Sequence, residues 1–168
     1  MSTTTATTTQ IFRVYIKATA EAIWDAITAP EWTDRYGYGG FIEFDGDVKG
    51  GTPYRIKAGS GMQQAGFDGI AVEGELVEVD PPRRLVQTWR LSMAPECAAE
   101  PMTRLTYELE AVTDGVTRLT IVHELDGAPN TALMVAGSEA DPSAGGGGWA
   151  WVLSDLKSLL ETGSVLAG

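Results

Sequence analysis

The chain has one cysteine and one histidine in 168 residues, and that scarcity excludes much chemistry. Cys97 alone permits no internal disulfide and no cysteine-based zinc site, and it points to a reducing compartment. With His123 as the sole imidazole, a multi-histidine metal centre is impossible, and a Ser-His-Asp relay would have to run through that one ring. Cations are also few. Lys and Arg number 12 against 23 Asp and Glu, a net charge of -11, which repels phosphate backbones and anionic membrane faces. No stretch approaches the ~18 apolar residues of a membrane span. The opening MSTTTATTTQ has neither the basic flank nor the apolar core of a signal peptide. Missing too are a GxGxxG after a strand, GxxxxGK, GxSxG, HExxH and EF-hand spacing, so neither a metal nor a cofactor is expected. These absences leave a small, acidic, cytoplasmic domain with no nucleic-acid partner and no integral membrane association.

What is present is an ordinary globular balance, 43% hydrophobic and 21% charged, in a length that suits one domain. Residues 1–10 read as a flexible lead-in and 11–163 as the domain. From Ile11 to Ala18, Phe12, Val14 and Ile16 alternate with Arg13, Tyr15 and Lys17, the mark of a strand wetted on one face. Thr19 offers a helix N-cap before Ile23, Trp24 and Ile27, and Pro30 ends that helix and opens a second carrying Trp32 and Tyr36. A meander of six strands follows. Its alternation slips near Val77, which suits a bulge, and Gly74 marks a bend or close packing. Gly59-Ser60-Gly61 and Ser92–Pro101 read as loops. Asn130–Glu139 suggests a short helix that Gly145–Gly148, as a hinge, would let act as a lid, and Trp149–Leu160 a long amphipathic helix with Asp155, Ser158 and Glu161 toward water and Gly163 at its end. Strands linked by hairpins, with helices at either end, make an α+β fold: a curved seven-stranded antiparallel sheet wrapped around the C-terminal helix.

Four stretches resemble a known family. Ala18–Ala29 (ATAEAIWDAITA) is similar to its opening helix, and Gly74–Trp89 (GELVEVDPPRRLVQTW) to its Pro-Pro hairpin. Thr117–His123 (TRLTIVH) is similar to the penultimate element, and Gly148–Gly163 (GWAWVLSDLKSLLETG) to the closing Gly-Trp helix. The family is the SRPBCC (START-like, helix-grip) superfamily and, within it, the homologues of the activator of the 90-kDa heat-shock protein ATPase. Tyr36-Gly37-Tyr38-Gly39 departs from the Trp-Phe-Gly-Pro common there. The resemblance implies a hydrophobic cavity between sheet and C-terminal helix. It also implies kinship with binders of lipids, sterols or polyketides, with cyclases, and with chaperone activators.

An interior lined by Tyr36, Tyr38, Phe44, Tyr54, Phe67, Trp89, Tyr107, His123, Trp149, Val152, Leu153 and Leu156 is therefore expected to hold a small hydrophobic molecule. Two other functions compete. One is a cyclase or hydratase in which His123, the one catalytic candidate, works with Tyr54 or Tyr107. The other is an interaction protein that contacts a chaperone through its acidic surface. A monomer or homodimer is expected.

Overall fold

Strand β1 (Thr9–Ile16) turns Phe12, Val14 and Ile16 inward and leaves Ile11, Arg13 and Tyr15 exposed, as the alternation requires. It begins two residues before Ile11 because Thr8 is already anchored. The Thr8 carbonyl accepts the Leu125 N–H (3.0 Å) and its hydroxyl donates to Asp126 (2.8 Å). The computed structural model describes residues 8–142 and 145–166, so most of the Thr-rich lead-in lies outside the described residues.

Helix α1 (Ala20–Thr28) starts where Thr19 Oγ1 accepts the Ala22 N–H (3.1 Å), and it buries Ile23, Ala26 and Ile27. Pro30 opens α2 (Pro30–Thr33). Then come β2 (Phe41–Phe44), β3 (Pro53–Lys57), α3 (Ser60–Gln64), β4 (Ile70–Asp80), β5 (Arg84–Leu91), α4 (Pro95–Ala98), β6 (Thr103–Thr113), β7 (Val116–Glu124), α5 (Pro129–Ala136) and α6 (Gly148–Thr162). The strands form one seven-stranded antiparallel sheet in the order β1-β7-β6-β5-β4-β3-β2. Its inner face carries Phe12, Leu76, Leu85, Leu105, Leu119 and Ile121 against α1 and α6, giving the α+β helix-grip architecture.

The bulge falls between Leu76 and Glu78, beside Val77. Gly74 shows why a glycine precedes it: a Cβ there would overlap the Thr88 carbonyl oxygen and lie against the Tyr54 ring. Without that side chain, the Tyr54 phenol crosses β4 and donates to Thr88 O (2.6 Å).

Four local expectations need correction. Gly59–Gly61 is not a plain flexible loop, since Asp34 accepts the Ser60 N–H (3.3 Å) and hydroxyl (3.2 Å) and draws the segment into the turn of α3. Within Ser92–Pro101, Pro95 starts α4, which buries Cys97. Asp155 does not face water. It is 4% exposed, and its carboxylate accepts the N–H groups of Gly37 and Leu166, each at 2.7 Å. Lastly, of the run Gly145–Gly148 only Gly145 stands in open space, while Gly146, Gly147 and Gly148 are closely packed. Gly148 has φ +62, and a Cβ on it would collide with the Val135 carbonyl and the Gly137 nitrogen, where α5 ends.

Two glycine replacements separate packing from propensity. Gly74→Ala should lower unfolding stability by about 3 kcal/mol, because the obstructing atoms belong to the backbone of β5. Gly61→Ala, with open space around it inside α3, should be neutral or raise stability by about 0.5 kcal/mol. Urea unfolding of the two proteins checks both values.

Candidate functional site

The inner face of β5, β6 and β7 is set by register. Leu85 faces Tyr107, which faces Ile121; one step along, Gln87 faces Leu105, which faces His123. His123 in turn faces Gln10 of β1, and Trp89 faces Thr103 at the end of the sheet. The first turn of α6 then drops Trp149 onto this surface. Trp149 lies 6.0 Å from Trp89 and 6.4 Å from Tyr107 between ring centroids, and the His123 ring meets Trp89 edge-on at 5.1 Å.

Hydrogen bonds in this cluster run in one direction. Indole nitrogens only donate, so Trp149 Nε1–H must give its proton to His123 Nδ1 (3.0 Å). That fixes the tautomer: His123 carries its proton on Nε2 and donates to Thr103 Oγ1 (2.8 Å). The Thr103 hydroxyl then donates to the Trp89 carbonyl (2.7 Å). His123 is fully buried, and burial pushes its pKa down to about 3. Both ring nitrogens are engaged and the ring is neutral, which equips His123 to hold Trp149 in place rather than to exchange protons.

The tyrosines differ among themselves. Tyr36 donates to Ala26 O (2.9 Å) and Tyr54 to Thr88 O, so both phenols are tied to backbone. Tyr107, half-buried on the inner face, has no hydrogen-bond partner for its hydroxyl among the described residues. Burial first, and the neighbouring Tyr107 second, raise Tyr36 and Tyr54 far above the ordinary 10.0; burial raises Tyr107 as well. All three stay neutral and can donate. Tyr38 is placed elsewhere, its hydroxyl accepting the Gly147 N–H (3.0 Å) ahead of α6.

Phe44, Phe67 and Val152 pack on the core yet keep part of their surface, whereas Leu153 and Leu156 are buried. Two polar residues on the same face were not anticipated. Gln87 Oε1 and Gln10 Oε1 are buried without a hydrogen-bond partner among the described residues. Gln87 lies between Leu85 and Trp89 in the alternation, so parity alone places it inward; it is also the diagonal neighbour of Tyr107.

Surface grooves lie apart from this cluster. One of about 470 Å³ runs beside Tyr54, Gly74 and Thr88, and one of about 330 Å³ lies between β1 and α6 beside Leu153. Among the described residues no cluster of three His, Cys, Asp or Glu could hold a metal, and no helix is long and apolar enough to cross a membrane.

The family model described as Activator of Hsp90 ATPase homolog 1-like protein matches residues 17–161. No curated protein matches the chain. Among solved structures, the fold is similar to MLL2253 from Mesorhizobium loti (TM-score 0.63, 21% identity, covering 91% of this chain and 96% of that one). It is also similar to CalU16 from Micromonospora echinospora (TM-score 0.60, 21% identity, 92% and 77%). A third is PFC0360w of Plasmodium falciparum, described as an HSP90 activator (TM-score 0.53, 21% identity, 95% and 91%).

The locked imidazole has a consequence in acid. A base whose folded pKa is depressed leaves stability untouched above its unfolded pKa of 6.5 and removes it as pH falls from there toward 3. The slope is about 1.4 kcal/mol per pH unit, or about 2 kcal/mol between pH 6.5 and 5. His123→Phe lacks this contribution. Urea unfolding at pH 7 and pH 5 should therefore show the natural protein losing about 2 kcal/mol more than the variant.

Proposed function

Because the chain belongs to the family of Activator of Hsp90 ATPase homolog 1-like proteins, we propose that it binds a small apolar molecule bearing a hydroxyl or carbonyl group between the sheet and α6. One observation carries the proposal: the Tyr107 hydroxyl has no hydrogen-bond partner among the described residues, and its diagonal neighbour on the inner face, Gln87, has a buried Oε1 without one. Buried polar groups are ordinarily satisfied, and an unsatisfied one costs on the order of 1–3 kcal/mol. Here one donor and one acceptor stand among apolar and aromatic side chains, the composition of a small-molecule site. Trp89 and Trp149 form the aromatic wall, with His123 and Thr103 holding Trp149 upright. Half-buried Tyr36, Phe44, Phe67 and Val152 give such a molecule apolar surface to cover. Tyr54, Leu153 and Leu156 belong to the same buried core.

Family membership also favours a second reading, contact with a 90-kDa heat-shock chaperone. With a net charge of -11, such a complex would be steered electrostatically, so its affinity should fall as salt is raised. Surface plasmon resonance on the purified chaperone at low and high salt checks this, and an absence of binding at low salt removes the reading.

For the small-molecule reading, the test is quenching of tryptophan fluorescence by fatty acids, sterols and aromatic polyketides, with native mass spectrometry to count the bound molecule. Tyr107→Phe should weaken binding by about tenfold through the lost hydrogen bond. Gln87→Leu should weaken it similarly, yet raise the stability of the unliganded protein by about 1 kcal/mol, because it removes an unsatisfied buried oxygen. A panel that gives no saturable quenching, or variants that bind as the natural protein does, would overturn the proposal.

A further inference from the structure

β1 forms one edge of the sheet, and an unpaired edge is a template for another strand. Main-chain groups along it alternate in direction. The Thr8 carbonyl turns toward β7 and accepts Leu125 N–H, while the Tyr15 carbonyl and the Lys17 N–H turn away, toward α6. The odd-numbered residues of β1 therefore present their N–H and C=O groups outward.

Half of this outward edge is closed. Lys157 Nζ donates to Tyr15 O (2.6 Å), and Glu161 Oε2 accepts the Lys17 N–H (2.7 Å). The other half is open. Among the described residues nothing bonds the outward groups of Ile11 and Arg13, and here β1 and α6 part to leave the groove of about 330 Å³. Phe12, Val14, Ala150 and Leu153 make its inner wall apolar, and Ile11, 52% exposed, stands at its outer lip. An edge strand beside a helix, with a groove between them, is the arrangement that takes up a peptide as an added strand.

Charge indicates the occupant. β1 contains Arg13 and no carboxylate. In the other strands Arg55, Arg84, Arg90, Arg104 and Arg118 each sit against Asp or Glu. Arg13 has no ion pair among the described residues, in a chain whose anions outnumber its cations almost twofold.

We propose that the open edge of β1 takes up an extended acidic segment of a partner protein as an additional strand. Ile11 and Arg13 supply main-chain hydrogen bonds. The segment's apolar side chains enter the groove beside Val14 and Leu153, and its carboxylates lie on the outer face against Arg13. A second copy of this chain fits less well, since its β1 brings no carboxylate to meet Arg13.

The test uses the full chain and a synthetic octapeptide of alternating valine and glutamate, followed by amide hydrogen exchange. Saturating peptide should slow exchange at Ile11 and Arg13 by about tenfold, with accompanying shifts at Ala150–Ser154. Arg13→Glu should weaken the peptide by about fivefold and take up a valine–lysine peptide instead, with Arg13→Gln intermediate and the urea midpoints of all three proteins alike. Unchanged exchange at Ile11 and Arg13, or equal affinity for Arg13→Glu, overturns the proposal. So does protection at those amides that grows with protein concentration alone, which would assign the edge to a second copy.

Discussion

Everything inside this protein is referred to a single run of hydrogen bonds, from Trp149 through His123 and Thr103 to the Trp89 carbonyl. Each donor and acceptor in it is fixed by chemistry: the indole only donates, so the imidazole has one permitted tautomer and the hydroxyl one permitted direction. The run is buried, where such bonds reinforce one another and a missing member is expensive. It joins the first turn of α6 to three different strands, β7, β6 and β5, so the helix cannot slide or rotate over the sheet without breaking it. The apolar contacts of Leu153 and Leu156 tolerate such shifts; the polar run does not. Hydrophobic packing holds α6 on the sheet, and the imidazole sets where along the sheet it sits.

That division explains what could be read in advance. Period-two alternation placed Tyr107, Trp89 and His123 inward, and helical spacing found α1 and α6, because each depends on neighbours a few residues away. Glycine and bulge signals near Gly74 and Val77 were legible for the same reason. Gln87 was legible too, since its parity is that of Leu85 and Trp89. Asp155 repeats the lesson on a helix. It lies three residues after Val152 and four before Leu159, on the flank of the apolar stripe, and it is buried because two distant N–H groups satisfy it. By contrast, α3 and α4 are single turns fixed by tertiary partners, the Asp34 carboxylate for one and the burial of Cys97 for the other, and no local pattern announces them. The pairing state of each tyrosine hydroxyl was likewise invisible, since Ala26 O and Thr88 O become neighbours only when the chain closes.

Remote capping recurs throughout the fold. Helix α5 has no side-chain cap at its own N-terminus. Glu100, from the segment before β6, instead accepts the Asn130 and Thr131 N–H groups and the Thr131 hydroxyl. Burial opposes ionisation of Glu100, but these bonds outweigh it and hold the carboxyl below its usual range. Lys17, Gly37, Ser60 and Leu166 are bound in the same manner by Glu161, Asp34 and Asp155. Part of the large acidic excess is therefore structural: the carboxylates fasten loops to helices through backbone N–H groups, an arrangement that needs anions and no matching cations.

Asp155 gives this fastening an unusual reach. One oxygen holds Gly37, in the bend after α2, and the other holds Leu166, past the end of α6. A bend in the first quarter of the sequence and the segment after its last helix thereby share one carboxylate. Trimming the chain back to Gly163 by an exopeptidase would strip that carboxylate of half its donors. The disturbance would surface first not at the cut but at Gly37 and Tyr38, where residues from the first quarter of the chain rest on α6.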